Sequence, residues 1–258
     1  GRFDMAGLEA LIDEKTRLIS VTHVPSSSGQ QLPASEVGAV ARKYGVPYLL
    51  DACQSVGQLP INVDEIGCDM MTATGRKFLR APRGTGFLYV SEAMRERLDP
   101  VFLTNQSATW TGVDSCELRS DARIFEGWER GVAAQLGFVA SLDYALERGF
   151  DRLTARTQAL ANMLRRALKA EDGIFLECPP SADTAIITFN IDGILALDVK
   201  RHMAERGVAV QVASRQHTFL DMSARAVETS VRVSPHYYNS EAEMEAFLTH
   251  VRSLCNQR

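Results

Sequence analysis

The chain has 258 residues, 45% of them hydrophobic, enough to bury a sizeable core in one large domain or two modest ones. A formal net charge of −4 leaves no basic footprint, which argues against nucleic acid or an anionic membrane surface as a partner. Five cysteines, Cys53, Cys68, Cys116, Cys178 and Cys255, lie far apart with no C-x-x-C pair, so neither a disulfide framework nor a metal site is expected. No apolar run approaches a membrane span and the first residues lack a signal-peptide layout, which makes the cytoplasm the expected location.

Asp4 is placed to cap a short helix with Leu8, Leu11 and Ile12 on its apolar face, and a strand follows over 18–21. His23 to Gly29 reads as a loop at the carboxyl end of that strand. Residues 35–44 form a helix closed by Gly45, and 46–50 make a strand that ends in Asp51. Strand, helix, strand is the βαβ signature of a parallel sheet. A second apolar run, 70–73, leads through Thr74-Gly75-Arg76 to Lys77, and Gly84-Thr85-Gly86 opens a third run into Val90. Gly84-x-Gly86 is no dinucleotide fingerprint, because a strand rather than a helix follows it.

From Ser91 to Asp121 the pattern weakens. A long helix over about 131–146 uses Val132, Leu136, Val139 and Leu142 as its stripe, and Gly149 ends it. The domain boundary is drawn there. Next come an amphipathic helix over 151–169, a break at Pro179-Pro180, a strand over 185–190 and a helix over 195–206 closed by Gly207. Strands over 208–212 and 230–234 precede a last helix, which opens with Ser240 and Glu243 in capping-box spacing. Residues 1–149 therefore read as α/β with a mostly parallel sheet, and 150–258 as a small C-terminal α+β domain.

Open α/β sheets bind ligands outside the carboxyl ends of their strands, and this chain delivers an acid, a hydroxyl and two cations to such ends. A lysine that attacks a carbonyl must lose its proton, which burial and a neighbouring cation both promote; Lys77 has Arg76 and Arg80 close by and Phe78 beside it. Asp51 has no chain-local cation, and a pyridinium nitrogen would supply one. A Schiff-base lysine with an aspartate opposite the ring nitrogen is the usual protein contribution to pyridoxal phosphate chemistry. Each residue also has a plainer reading. Asp51 alone would cap the following turn, Lys77 alone would be a solvated surface lysine, and Thr74 with Arg76 would be an ordinary turn.

The ordered set Thr22-His23-Val24, Asp51-Ala52-Cys53-Gln54, Thr74-Gly75-Arg76-Lys77, Gly84-Thr85-Gly86-Phe87-Leu88-Tyr89-Val90 and Arg232-Val233-Ser234-Pro235-His236-Tyr237-Tyr238-Asn239 resembles the class V aminotransferases. These are fold-type I pyridoxal phosphate enzymes whose relatives include cysteine desulfurases, isopenicillin N epimerase and C–S lyases. The resemblance implies an incomplete transferase large domain over 1–149, including the linking helix, because the segment that seats the phosphate in relatives has no counterpart here. It implies Lys77 as the catalytic Schiff-base residue, Asp51 on the ring nitrogen, Gln54 on the ring hydroxyl oxygen, and Thr74 and Arg76 on the phosphate. Arg232 would grip the α-carboxylate of a small amino-acid substrate, and His23 would approach cofactor or substrate.

A homodimer is also implied, although Gly127-Trp128 replaces the Gly-Thr pair that reaches the partner's phosphate in many relatives. Trp110-Thr111-Gly112 resembles a variable loop at the substrate entrance. Desulfurases carry a thiolate on the loop before the Arg-x-Ser strand, whereas Ala213-Ser214-Arg215-Gln216-His217-Thr218-Phe219 has none. The expectation is an aminotransferase acting on an α-amino acid, with C–S lyase or epimerase chemistry as alternatives. A cofactor-free binding module is the alternative of another class.

Overall fold

The structure is a computed structural model, and it describes residues 3–179 and 182–256. Of the expected break at Pro179-Pro180, Pro180 lies outside the described residues. Helix α1 (Met5–Leu11) starts where Asp4 accepts a hydrogen bond from the Gly7 amide at 2.9 Å. Strand β1 (Ile19–Thr22), helix α2 (Ala34–Tyr44) and strand β2 (Tyr48–Asp51) form the expected βαβ unit, and Gly45 closes α2 at a φ of 65°. A short helix α3 (Val63–Ile66) leads to β3 (Met70–Thr74), and β4 (Gly86–Val90) returns beside it.

These strands lie in the order β1-β2-β3-β4. The first three are parallel and β4 is antiparallel to β3, so the sheet is mostly parallel. Its register sets Thr22 beside Asp51 and Asp51 beside Thr72, which lines up the carboxyl ends of three strands. One core cluster joins the buried faces of this sheet to α2 through Val21, Val37, Tyr48, Leu50 and Met71.

Helix α4 (Glu92–Arg95) is followed by a hairpin of β5 (Ala108–Gly112) and β6 (Ser115–Leu118). Trp110-Thr111-Gly112, expected in a loop, is therefore strand. Helix α5 (Val132–Arg148) has the expected period, but none of its residues is buried, and Val132, Leu136 and Val139 face outward. We propose the domain boundary at Gly149, between α5 and α6 (Phe150–Ala170).

Strands β7 (Ile174–Leu176) and β8 (Ile187–Ile191), helix α7 (Ala196–Ala204), strand β9 (Gln211–Ser214), helix α8 (Phe219–Ala224), strand β10 (Thr229–Val233) and helix α9 (Glu241–Cys255) complete the chain. The second sheet has the order β7-β8-β10-β9 and is antiparallel throughout. Strand β9 begins later than the apolar run over 208–212 suggests. The Val208 amide still bonds the Met203 carbonyl at 2.9 Å, so this stretch caps α7 before the chain can extend. Both halves of the capping box at Ser240 and Glu243 form.

The second core cluster packs α6, α7 and α9 on this sheet, and it also takes in Val24, Leu59 and Phe78 from the first part of the chain. Apolar packing therefore crosses between the two sheets beside the Lys77 turn.

Candidate active site

The turn after β3 places Lys77. Gly75 donates to the Thr85 carbonyl at 2.9 Å and Ala81 to the Gly75 carbonyl at 2.8 Å, closing a loop in which the Arg80 amide bonds the Lys77 carbonyl at 2.9 Å. Gly57, at a φ of 97°, lies flat against the following peptide: a Cβ there would sit 2.5 Å from the Phe78 carbonyl carbon. A side chain with four rotatable bonds is aimed only as well as its Cα is fixed, and here the Cα is fixed on several sides.

Lys77, Gln54 and Arg232 line one cavity of about 180 Å³, together with Phe78, Ile186, Ser234 and His236. Three of the expected site residues, drawn from both sheets, thus share one hollow. Among the described residues, the side chains of Lys77 and Arg232 form neither an ion pair nor a hydrogen bond. Burial pushes the Lys77 ammonium below its ordinary pKa; Cys53 and Asp51 oppose that shift, while the guanidinium groups of Arg76 and Arg232 add to it. Burial also lowers the pKa of Arg232. A half-buried guanidinium without a carboxylate is costly unless an anion from outside completes it.

Asp51 ends β2 and is half-buried. Its Oδ1 accepts from the Cys53 amide at 2.9 Å, so it does cap its turn, and its Oδ2 lies 3.4 Å from the Thr22 hydroxyl. Its charge still reaches Lys77. Gln54 follows on the same turn, where its carbonyl accepts from Gln58 Nε2 at 2.5 Å. Thr74 is half-buried with its hydroxyl 3.4 Å from the Thr85 carbonyl, and Arg76 is exposed. Both flank the Lys77 turn without lining its cavity.

His23 is not brought to this hollow. It is buried and lines a separate cavity between β1, the start of α2 and α3, and burial lowers its pKa. His236 and Ser234, by contrast, line the hollow although no role was read for them. The signal was available: residues two apart in extended chain share a face, and 232, 234 and 236 follow one another at that spacing. Among the described residues no cluster of three or more His, Cys, Asp or Glu could hold a metal, and no helix is long and apolar enough to cross a membrane.

A family model described as Aminotransferase class-V matches residues 1–247. The chain belongs to the class-V aminotransferase family. This class-V member is 30% identical over 249 residues to a probable cysteine desulfurase of Methanothermobacter thermautotrophicus, an alignment that covers 95% of this chain and 62% of that one. A probable cysteine desulfurase of Synechocystis sp. is 29% identical over 253 residues, with 95% and 59% covered. The chain spans about three fifths of the length of these curated relatives.

Among solved structures, the apo cysteine desulfurase of Thermococcus onnurineus NA1 is similar at a TM-score of 0.91 and 23% identity, over 100% of this chain and 64% of that chain. A cystine C–S lyase bound to its product cysteine persulfide is similar at 0.83 and 22%, over 96% and 64%. These likenesses establish the fold, α/β with a mostly parallel first sheet.

Proposed function

We propose that the protein is a pyridoxal phosphate-dependent enzyme that acts on an α-amino acid and cleaves a carbon–sulfur bond by elimination. The observation that carries this reading is the shared hollow of Lys77, Gln54 and Arg232, with two cationic side chains unpaired among the described residues. The donor set fits the cofactor: an amine with a lowered pKa for the aldehyde, the Asp51 carboxylate for the ring nitrogen, and the Gln54 amide for the ring hydroxyl oxygen. Thr74 and Arg76 would hold the phosphate with a hydroxyl and a guanidinium fork.

When bound, pyridoxal phosphate supplies an electron sink that lets a bond at the substrate's Cα break heterolytically. Arg232 grips the α-carboxylate with two parallel N–H donors and so orients the Cα substituents. Lys77 Nζ, whose ammonium form burial disfavours, takes the Cα proton as general base. Asp51 keeps a positive charge on the ring nitrogen favourable. Phe78 and Ile186 give the hollow apolar walls.

The relatives' names favour carbon–sulfur cleavage over the transamination that the sequence alone puts first. Elimination rather than persulfide transfer is favoured because the stretch 213–219 offers no thiol. Transamination is the second reading, since the same base could return the proton elsewhere on the bound substrate. A homodimer completes the proposal, supported by the outward apolar stripe of α5, and the cytoplasm is its proposed location.

Purified full-length protein mixed with pyridoxal phosphate is expected to gain a visible absorbance band, and borohydride reduction should fix the label on Lys77. A screen of sulfur-containing amino acids should then release sulfide and ammonia with a keto acid. Keto acid formed only when a second keto acid is supplied would favour transamination. No band and no label would overturn both.

A further inference from the structure

We propose that His236 is a positioning residue for Lys77, a neutral imidazole that ties the Arg232-bearing segment to the peptide that follows the lysine. The inference rests on the reading of Lys77 as the reacting amine. It adds a residue to which that reading gave no task.

The geometry fixes the ring on every side. The Tyr237 amide donates to His236 Nδ1 at 2.9 Å, so Nδ1 is the acceptor and Nε2 carries the hydrogen. Nε2 lies 3.1 Å from the Phe78 carbonyl oxygen and donates to it. The same ring stacks on Phe78, with centroids 5.4 Å apart and planes at 22°, and on Tyr238, at 4.9 Å and 15°. Its backbone is closed in a turn, since the His236 amide bonds Asn239 Oδ1 at 2.9 Å and the Asn239 amide bonds the His236 carbonyl at 2.9 Å.

Phe78 is the residue after Lys77, and its peptide faces Gly57 on one side and His236 on another. Arg80, two residues further on, adopts a φ of 58°, and its guanidinium packs over the rings of Tyr237 and Tyr238 at 5.2 and 4.9 Å. The segment 236–238 thus clasps the Lys77 turn at two points. Arg232 stands four residues before His236 and lines the same hollow. The imidazole hydrogen bond is therefore one of the ties that space the carboxylate grip from the amine. Burial, with Arg80 nearby, pushes the His236 pKa down to about 4, so the donor stays in place at neutral pH.

The test uses full-length protein carrying His236→Phe, which keeps a ring against Phe78 and removes both hydrogen bonds, and His236→Gln, which restores an N–H donor. The first readout needs no cofactor: the pH midpoint for acylation of Lys77, followed by peptide mass mapping. The titratable and charged groups facing that amine are the Asp51 carboxylate, the Cys53 thiol and the guanidinium groups of Arg76 and Arg232. His236→Phe should raise the midpoint by about one pH unit as the amine moves toward water, and His236→Gln should return it close to the parent value. With pyridoxal phosphate and substrate, His236→Phe should lower kcat about tenfold with KM little changed.

An unshifted Lys77 midpoint in a folded His236→Phe protein overturns the proposal, as does a His236→Gln protein that behaves like His236→Phe. Should His236→Phe not fold, imidazole ¹⁵N shifts of the parent protein decide instead: a hydrogen on Nε2 at neutral pH supports the proposal and one on Nδ1 overturns it. Absent cofactor uptake in the parent protein would sink the functional reading while leaving the acylation result to decide this one.

Discussion

Gln58 Oε1 accepts a hydrogen bond from the Ala185 amide at 2.7 Å, joining the turn after β2 to the entry of β8. The same side chain donates through Nε2 to the Gln54 carbonyl, so one fully buried amide braces a wall of the hollow against the second sheet. Gln58→Leu strands the Ala185 N–H in the interior. It should cost about 2 kcal/mol, read as a lower denaturant midpoint at unchanged slope.

Lys77→Ala should abolish the visible band of the cofactor-treated protein and lower turnover on the order of 10³-fold. Spectra and initial rates of the parent and variant check this together. A variant that keeps its band would remove Lys77 from the role given to it.

Arg232→Lys keeps the charge but not the fork. A point charge cannot reproduce two parallel N–H donors, so KM for the amino acid should rise by about 10–100-fold with a smaller effect on kcat. Steady-state kinetics separate the two parameters. Equal losses for a substrate lacking the α-carboxylate would show that Arg232 grips something else.

Acid should weaken the fold through His236. An unfolded histidine titrates near 6.5, whereas burial holds His236 down to about 4, so the unfolded chain takes up the proton first. Stability is complete above pH 6.5 and declines as pH falls toward 4, by roughly 3 kcal/mol from this group. Denaturant melts between pH 7 and 4 should show a shallower decline for His236→Gln, which has no such proton to bind.

Gly57→Ala brings a Cβ against the Phe78 carbonyl in a backbone region that side chains avoid. A loss of about 1–3 kcal/mol is expected. Thermal melts measure it, and restored stability in Gly57→Asn, which tolerates positive φ better, would show that backbone conformation and not contact is the cause.

The first sheet was readable because its punctuation is strong: Gly45 stops α2, Asp51 stops β2, and Thr74-Gly75 ends β3. The β5–β6 hairpin was not, because its residues are exposed on both faces and leave no alternation to detect. The α5 stripe gave the period but not that the face stays exposed, since a helical period reports a face and not what lies against it. That Lys77, Gln54 and Arg232 come together in one hollow was legible from motif and residue chemistry together. That His23 lines a separate cavity was not legible, because the side to which a strand-end residue turns depends on register that short apolar runs do not encode. His236 escaped because its task lies in a hydrogen bond to a backbone carbonyl 158 positions away in sequence, which no local pattern announces.

Strand β4 pairs with β3 along one side, and Phe87 and Leu88 lie exposed on it. Such a border is an adhesive seam: the last strand of a sheet, bearing exposed apolar side chains, offers a template for another extended chain. The protein should cling to its own copies as concentration rises, and a charge placed at Leu88 should keep it dispersed.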